Sequence, residues 1–258
     1  MPAPENHLKH ALARGEQQFG IWLALASPSV AELAATIEYD WLLIDAEHGP
    51  NDLPRIEAQL RAMAHGNATP IVRVPHDADW ILKQVLDLGV QTVLVPMVNT
   101  AEQARAVVAA CKYAPEGHRG VGYALTRASG FNSITDYGKT ANDQICVIVQ
   151  VETEQAMQNI DEIAAVPGVD CVFIGPADLS ADMGYFGQPD HPAVVKVIDQ
   201  GIASVVSRGK PIGTILFDAN QHADFLAKGG TFLGVGADST CLTEALSATL
   251  GKTKDIRK

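Results

Sequence analysis

The sequence predicts an α/β fold, a (β/α)8 TIM barrel that forms a single domain over residues 1–258. Short apolar runs rich in β-branched residues alternate with amphipathic stretches along the chain, as in parallel strands that helices cover on both faces. Eight such strand–helix units fit the size of this barrel, which is about 250 residues. No linker or low-complexity tract divides the chain. A doubly wound open sheet is the structural alternative, although such sheets usually have fewer strands.

The predicted elements follow one another in a regular order. The eight strands are Gly20–Ala24, Trp41–Asp45, Pro70–Val74, Thr92–Val95, Ile145–Val151, Cys171–Gly175, Pro211–Leu216 and Thr231–Val235. The helices that follow them are Val30–Ile37, Leu53–Ala64, Ala78–Leu88, Ala101–Cys111, Ala156–Ala165, Ala193–Ser207, Ala219–Ala227 and Cys241–Leu250. An additional helix, Asn6–Arg14, precedes the first strand.

One connection is much longer than the others. It runs from Tyr113 to Gln144, is rich in Gly, Ser, Thr and aromatic residues, and carries Arg119 and Arg127. Structureless loops of this length are uncommon in compact domains and tend to be functional or mobile. We therefore expect this segment to face the substrate or another subunit, and a decorative surface loop is the alternative.

Composition restricts the class of partner. Nineteen basic residues against thirty acidic ones give a net charge of −11, which argues against nucleic acid or an anionic membrane as the main partner. The most apolar stretch, residues 19–26, is far shorter than a membrane span, and the first residues lack the apolar core of a secretory signal. The four cysteines are widely spaced, as free thiols in a reducing compartment are. We expect a cytoplasmic enzyme that acts on small molecules.

Charged or titratable residues stand at four of the predicted strand ends. Asp45 ends the second strand with His48 close behind, and Arg73 ends the third. Glu152 and Asp178 follow the fifth and sixth strands. The carboxyl ends of barrel strands meet at one pole, where the chemistry of such barrels is found. Buried charges need partners, so we expect these groups to face one another or a ligand.

Each of these groups suits a particular chemistry. Glu152 and Asp178 offer hard oxygen ligands that suit Mg²⁺, Mn²⁺ or Co²⁺, although they could instead cap backbone amides. The fork of Arg73 suits a substrate oxygen that gains negative charge, with a structural counter-ion as the alternative. His48 suits a general base, because Asp45 lies three residues before it and is available to orient the imidazole.

Two other chemistries have weaker support. An enzyme that forms a Schiff base needs a lysine in its site, but every lysine falls on a predicted helix, loop or terminus, or, for Lys210, at the wrong end of a strand. The glycine-rich turn Gly234–Ser239 could hold a phosphate at a helix N-terminus, although a tight strand-to-helix turn explains it about as well.

The chain resembles the class II pyruvate aldolases of the HpcH/HpaI family from Phe19 to about Asp238. The motifs that carry this resemblance are LIDAEHGPND (Leu43–Asp52), IVRVP (Ile71–Pro75), TVLVPMV (Thr92–Val98), GHRGVGYALTRAS (Gly117–Ser129), VQVET (Val149–Thr153) and FIGPADLSADMG (Phe173–Gly184). Together they are far more specific than any one of them alone.

The resemblance implies a metal-dependent retro-aldol cleavage of 4-hydroxy-2-oxo acids to pyruvate and an aldehyde. By position, Glu152 and Asp178 would hold the divalent metal, Mg, Mn or Co. Arg73 would contact the 2-oxo oxygen of pyruvate. His48, with Asp45 beside it, would remove the proton of the 4-hydroxyl group through a water.

Further positions match residues around the pyruvate pocket. Gln150 would line this pocket, Ala177 and Asp178 would bind the substrate carboxylate through their backbone, and Leu216 would contact the substrate.

The resemblance also implies a homo-oligomer. Family members are generally hexamers, trimers of dimers that exchange their last helix between subunits. Asp87 matches an acidic residue that supports the site, often across a subunit contact. Arg127, from the same or another subunit, is a hypothesis for recognition of the distal end of the substrate.

The substrate that the resemblance favours is 4-hydroxy-2-oxoheptanedioate, which would give pyruvate and succinate semialdehyde. A 2-keto-3-deoxy sugar acid is the alternative, because relatives that cleave such acids differ mostly in the loop holding Arg119 to Asn132. Two other hypotheses are a non-catalytic barrel that binds an oxo acid and metal, and a phosphate-binding enzyme that uses Gly234 and Gly236.

Overall fold

Eight parallel strands close into a barrel in sequence order in the computed structural model, which describes the backbone of residues 1–254 and the side chains of residues 1–252. Residues 255–258, the last four of the predicted domain and among them Lys258, lie outside the described part. The strands are β1 (Gln18–Leu23), β2 (Trp41–Asp45), β3 (Thr69–Arg73), β4 (Thr92–Val95), β5 (Cys146–Val151), β6 (Cys171–Ile174), β7 (Ile212–Ile215) and β8 (Phe232–Ala237). Strand β1 pairs with both β2 and β8, which confirms the predicted (β/α)8 barrel.

Helices surround the barrel. They are α1 (His7–Ala13), α2 (Pro28–Ala35), α3 (Leu53–Ala62), α4 (Asp79–Asp87), α5 (Ala101–Cys111), α6 (Tyr137–Gln144), α7 (Glu154–Gln158), α8 (Ile160–Ala164), α9 (Pro176–Asp182), α10 (Pro192–Ser207), α11 (His222–Ala227) and α12 (Asp238–Lys254). The single helix predicted over 156–165 is in fact two short helices, because the helical conformation is interrupted at Asn159. The Asn159 side-chain amide donates to the carbonyl of Asn99 at 2.8 Å, which ties this break to the loop after β4.

Large aromatic side chains fill the barrel interior. Trp41 stacks on Phe232 with ring centroids 4.4 Å apart, and Trp22 meets Trp41 edge-on at 5.4 Å. Leu8 and Leu12 of α1 pack into the same cluster, so the additional N-terminal helix closes the N-terminal end of the barrel. A second apolar layer lies between the strands and the outer helices. The filled interior leaves the C-terminal ends of the strands as the place for a site.

The long connection between α5 and β5 lies at the N-terminal pole of the barrel. Because it leads into the first residue of β5, it belongs to the end opposite the carboxyl ends of the strands. Its contacts agree: the Asp136 N–H donates to the carbonyl of Met1 at 3.0 Å, and the Ala3 N–H donates to Thr140 Oγ1 at 2.8 Å. This segment therefore faces away from the barrel mouth of its own chain.

Helix α12 leaves the barrel after β8. Its side chains from Cys241 to Lys252 are exposed, and Leu242 and Leu246, one turn apart, are 48% and 62% exposed. Across the described residues, no helix is both long enough and apolar enough to pass through a membrane.

Candidate active site

A cavity of about 690 Å³ opens at the carboxyl ends of the strands. Its inner wall includes Asp45, His48, Arg73, Gln150 and Asp178, which come from four different strand ends or the turns that follow them. The fold thus brings together the groups that the sequence places at strand ends.

Arg73 and Asp45 form the most extensive polar contact of this wall. The ladder places Asp45 of β2 opposite Arg73 of β3, so both side chains leave the sheet on the same face. Arg73 donates from Nε to Oδ1 of Asp45 at 2.9 Å and from Nη2 to Oδ2 at 2.6 Å. Both residues are buried, and the pair is fixed in a bidentate geometry.

Glu47 is a second carboxylate on the same guanidinium. Its Oε2 lies 2.9 Å from Nη1 of Arg73, and its side chain is only 18% exposed. Burial raises the pKa of Glu47 even though the Arg73 charge opposes that rise. Sequence reasoning assigned no role to Glu47, although the residue stands between two that it did select, Asp45 and His48.

His48 stands at the rim of the cavity with its imidazole exposed. Its backbone N–H donates to Oδ1 of Asp45 at 3.3 Å, as does that of Glu47 at 3.1 Å, which closes the turn after β2. The sequence placed Asp45 beside the imidazole, whereas in the structure the Asp45 carboxylate faces Arg73 and the backbone of this turn. The carboxylate nearest to His48 Nε2 in the contacts found is that of Glu47, at 4.0 Å.

Glu152 is the most deeply buried carboxylate of the site, with 1% of the residue exposed. The Met97 backbone N–H donates to its Oε1 at 2.9 Å, and Gln150 Nε2 donates to its Oε2. Met97 has a φ of +58°, a left-handed conformation unusual for a residue with a side chain, and this conformation belongs to the turn that carries its N–H to Glu152. No sequence signal points to a backbone donor of this kind.

The environment of Glu152 fits a divalent cation. Burial, with smaller contributions from the charges of Asp178 and Glu47, raises the pKa of Glu152 to about 7, although the hydrogen bonds from Met97 and Gln150 oppose that rise. A cation beside the carboxylate would offset that cost. Among the described residues no cluster of three or more His, Cys, Asp or Glu side chains could hold a metal. The protein ligands that Glu152 and the exposed Asp178 offer are therefore two carboxylates, fewer than such a cluster would supply. Mg²⁺ is often bound by one or two carboxylates, with water or substrate as the other ligands.

The remaining predicted pocket residues lie around this centre. The buried Gln150 has an Oε1 atom without a hydrogen-bond partner. Ala177 and Asp178 lie in the first turn of α9, and Leu216 borders the cavity just after β7. Gly175 leaves room for the carboxylate, because a Cβ at this position would overlap Glu152 Oε2.

Asp87 and Arg127 lie at the opposite pole of the barrel. Asp87 ends α4 and accepts a hydrogen bond at 2.6 Å from Nη2 of Arg119, a buried side chain that also stacks over the ring of Tyr113. Arg127 donates to the carbonyl of Leu88 at 2.8 Å. Neither residue can reach the cavity of its own chain.

The structure gives little support to a Schiff-base lysine or to a phosphate site in the glycine-rich turn. Lys228 borders the outer part of the cavity, but hydrogen bonds to Asp199 and Asp224 raise its pKa and keep the amine charged. A lysine that forms a Schiff base must instead attack as the neutral amine. The glycine-rich turn is part of β8 and leads directly into α12. There the Asp238 carboxylate accepts hydrogen bonds from the N–H groups of Ala24 and Leu25 at 2.9 and 3.1 Å. A carboxylate in this turn would repel a bound phosphate.

Comparison with known proteins finds a matching family and similar chains. A sequence model of the HpcH/HpaI aldolase/citrate lyase family matches residues 18–245. A hydroxypyruvate/pyruvate aldolase from Agrobacterium fabrum is 49% identical over 254 residues, which are 98% of this chain and 96% of that protein. A 4-hydroxy-2-oxo-heptane-1,7-dioate aldolase from Escherichia coli is 49% identical over 250 residues, covering 96% of this chain and 95% of the other.

A solved structure shows the same architecture. The crystal structure of an HpcH/HpaI aldolase/citrate lyase family protein from Burkholderia cenocepacia superposes with a TM-score of 0.94 at 38% identity. The superposition covers 96% of this chain and 99% of that protein.

Proposed function

Since the chain belongs to the HpcH/HpaI aldolase/citrate lyase family, we propose that it is a divalent-metal-dependent (class II) aldolase that interconverts a 4-hydroxy-2-oxo acid with pyruvate and an aldehyde. The observation that carries this proposal is the meeting of Arg73, His48 and Asp178 around one cavity. The buried Glu152 lies close enough to Asp178 for their charges to interact. These groups are a donor fork, a proton acceptor and two oxygen ligands, which together suit the cleavage of a carbon–carbon bond next to an oxo group.

Glu152 and Asp178 would hold the metal, which we propose is Mg²⁺, Mn²⁺ or Co²⁺. When bound, such an ion acts as a Lewis acid on the 2-oxo acid and stabilises negative charge on its oxygen. The support from this chain is the buried carboxylate of Glu152, which two donors hold in place and whose ionised form needs a counter-charge.

His48 would take the proton of the 4-hydroxyl group, directly or through an ordered water. Loss of that proton lets the C4 oxygen form the aldehyde carbonyl while the bond between C3 and C4 breaks. The electron pair of that bond passes to the pyruvate fragment as an enolate, and a proton returned to C3 completes pyruvate. The remaining N–H groups of Arg73, beyond those held by Asp45 and Glu47, would donate to the 2-oxo oxygen as its charge develops.

The pyruvate pocket would be completed by neighbouring groups. The Gln150 amide would line it, the backbone of Ala177 and Asp178 would bind the carboxylate, and Leu216 would pack against the substrate. The orphaned Oε1 of Gln150 supports this assignment, because a buried acceptor without a donor leaves room for a ligand or water hydrogen bond.

Asp87 and Arg127 would serve a neighbouring subunit. Both lie at the pole opposite the mouth of their own barrel, so a role in the reaction requires that this pole meets the mouth of another copy. We propose a cytoplasmic hexamer, a trimer of dimers, built from single-domain chains that exchange α12. The exposed leucines Leu242 and Leu246 support such an exchange.

For the substrate, we propose 4-hydroxy-2-oxoheptanedioate, cleaved to pyruvate and succinate semialdehyde. The name of the E. coli relative supports it. A second candidate is aldol chemistry in which hydroxypyruvate takes the place of pyruvate, because the A. fabrum relative, equally identical to this chain, is named for both oxo acids.

The test is pyruvate release from 4-hydroxy-2-oxoheptanedioate by chelator-treated protein, before and after Mg²⁺, Mn²⁺ or Co²⁺ is added. We expect activity to vanish with the chelator and to return with metal. Activity that is indifferent to chelation would overturn the metal assignment. No release with any metal, combined with aldol addition of hydroxypyruvate to an aldehyde, would favour the second candidate.

A further inference from the structure

Glu47 occupies a position that the proposed reaction does not yet use. Its side chain reaches Arg73, and the turn that carries it is closed by hydrogen bonds from the Glu47 and His48 backbone to Asp45. A single oxygen, Oε2, then lies 2.9 Å from Arg73 Nη1 and 4.0 Å from His48 Nε2. One carboxylate oxygen thus lies within ion-pair distance of both the proposed electrophilic and the proposed basic residue.

Oε2 of Glu47 has no donor aligned with it. It is buried and lacks a hydrogen-bond partner that meets the angular requirements, although Arg73 is close. A buried carboxylate oxygen in this state costs free energy until an N–H or O–H is directed at it. Nε2 of the exposed His48 ring lies 4.0 Å from this oxygen, so a hydrogen on Nε2 would satisfy it if the ring moved closer.

Asp45 is not available for that task. Its Oδ2 accepts from Arg73 Nη2, and its Oδ1 accepts from Arg73 Nε and from two backbone N–H groups. With both oxygens occupied by donors that hold the turn and the ion pair, a further hydrogen bond to an imidazole would have to displace one of them.

We propose that Glu47 is a positioning residue of this active site, whose Oε2 accepts the Nε2–H of His48 while it braces the guanidinium of Arg73. The role of this contact in catalysis rests on the proposed function. With Nε2 carrying the hydrogen, the lone pair of the neutral ring is on Nδ1, which becomes the atom that accepts the substrate proton. After that transfer the imidazolium stands beside a carboxylate that compensates its charge.

The charges around this pair come from several elements. Arg73 of β3, Asp45 of β2 and Asp178 of α9 all act on Glu47, together with His48 on its own turn. The charge of Glu47 also acts on Glu152, which follows β5. Removing the Glu47 charge therefore leaves Arg73 paired with Asp45, while His48 loses the nearest carboxylate found in the structure. An effect of this removal on His48 therefore distinguishes a Glu47 that contacts both Arg73 and His48 from a Glu47 that only holds Arg73 in place.

The experiment is the pH profile of kcat/KM at saturating metal for the wild type, Glu47→Gln and Asp45→Asn. Glu102→Gln, an exposed acid on α5, serves as the matched control. In Glu47→Gln we expect kcat/KM to fall about tenfold to a hundredfold. We also expect its acid limb to move about one pH unit lower, because an imidazole without a nearby carboxylate protonates less readily. Asp45→Asn should lower kcat/KM without moving the limb, and the control should change neither.

A uniform loss in Glu47→Gln with an unmoved acid limb would overturn the proposal and leave Glu47 as a brace for Arg73 only. If circular dichroism shows that Glu47→Gln is not folded, Glu47→Asp carries the test. Its shorter side chain keeps the charge but opens the contact, so the limb should move by less in the same direction, and an unmoved limb overturns the proposal.

The contact between Glu47 and His48 can also be tested by a measurement that does not require turnover. NMR can follow the titration midpoint of the His48 ring protons, assigned with His48→Asn, in the wild type and in Glu47→Gln. An inactive wild type would overturn the proposed function, whereas a lower midpoint in Glu47→Gln would still support the Glu47–His48 contact. An unchanged midpoint would overturn that contact even in an active enzyme.

Discussion

Asp45 and Arg73 stand opposite each other in the β2–β3 ladder and form a buried, bidentate ion pair with contacts of 2.9 and 2.6 Å. The strand register fixes this relationship, since a shift of one residue would turn either side chain to the other face of the sheet. The pair holds the guanidinium in one orientation before any ligand arrives. Preorganised donors of this kind avoid the cost of reorientation when charge develops on a substrate oxygen.

Arg73→Lys tests whether this fork, rather than its charge, matters. Lysine keeps the positive charge but presents a single ammonium that cannot reproduce the two contacts with Asp45 and a third donor to the substrate. We expect kcat for pyruvate release to fall about a hundredfold or more. The variant should remain folded in urea titrations.

Arg73→Met is the companion variant. It leaves Asp45 and Glu47 without their counter-charge in a buried site, so we expect a loss of about 3–5 kcal/mol in the free energy of unfolding. Near-normal turnover in Arg73→Lys would contradict a role for the guanidinium on the 2-oxo oxygen.

Glu152 predicts a pH dependence of stability in the metal-free protein. Burial raises its pKa from 4.5 to about 7, so folding favours the protonated acid. This contribution to stability is complete below the unfolded value and is lost as the pH rises through the folded one. From this group alone we expect the free energy of unfolding to fall by on the order of 3 kcal/mol between those two limits and to stay low above them.

Glu152→Gln isolates that effect, because it removes the titration and keeps the shape. Urea unfolding across this pH range should show that the wild type loses stability relative to the variant as the pH rises. Addition of Mg²⁺ above neutral pH should restore the wild type but not Glu152→Gln. Parallel curves for the two proteins would show that the buried carboxylate does not titrate in this range.

Gly175 tests whether the position of Glu152 sets metal affinity. A Cβ at Gly175 would overlap Glu152 Oε2 and lie 2.8 Å from Gln150 Nε2, while the backbone there, with φ −92°, accepts alanine without strain. We expect Gly175→Ala to weaken Mn²⁺ binding, measured by calorimetry, about tenfold or more. Gly122→Ala is the control, because a Cβ at that position meets no atom within 4 Å. Equal affinities in both variants would argue against Glu152 as a ligand.

The sequence predicted the barrel because its periodicity is strong and its strands are buried on both faces. The predicted bounds of α5, Ala101–Cys111, match the structure, in which Thr100 and Gln103 form a capping box at its start. The strand-end residues could be selected because charge is rare in apolar strands. Their assigned roles stay predictions, although the fold does gather Asp45, Arg73 and Gln150 at one mouth.

What sequence could not supply is the pairing among these groups. That Asp45 faces Arg73 and not the imidazole of His48 depends on strand register, which composition does not reveal. Glu47 returns to the site because of backbone hydrogen bonds within a turn. Met97 contributes only its N–H, so the identity of its side chain carries no signal.

Asp87 gives a prediction about the assembly. It is fixed by the buried Arg119 at the N-terminal pole, far from the cavity of its own chain, so a role in the reaction must be in the site of another copy. Asp87→Asn and Glu152→Gln should each abolish turnover in the pure state. When the two variants are coexpressed with different tags and purified as mixed oligomers, sites with Glu152 from one chain and Asp87 from its neighbour are restored, and activity should return.

The control for this experiment is the mixture of Glu152→Gln with His48→Asn. Both residues belong to the mouth of a single barrel, so a mixed oligomer of these variants contains no complete site and should stay inactive. Recovery in the first mixture and not in the second would establish that Asp87 acts across a subunit boundary. Failure of both mixtures, with Asp87→Asn unstable in urea, would instead assign Asp87 to the support of Arg119 and the N-terminal pole, since the loss of its carboxylate would leave that buried guanidinium without its charged partner.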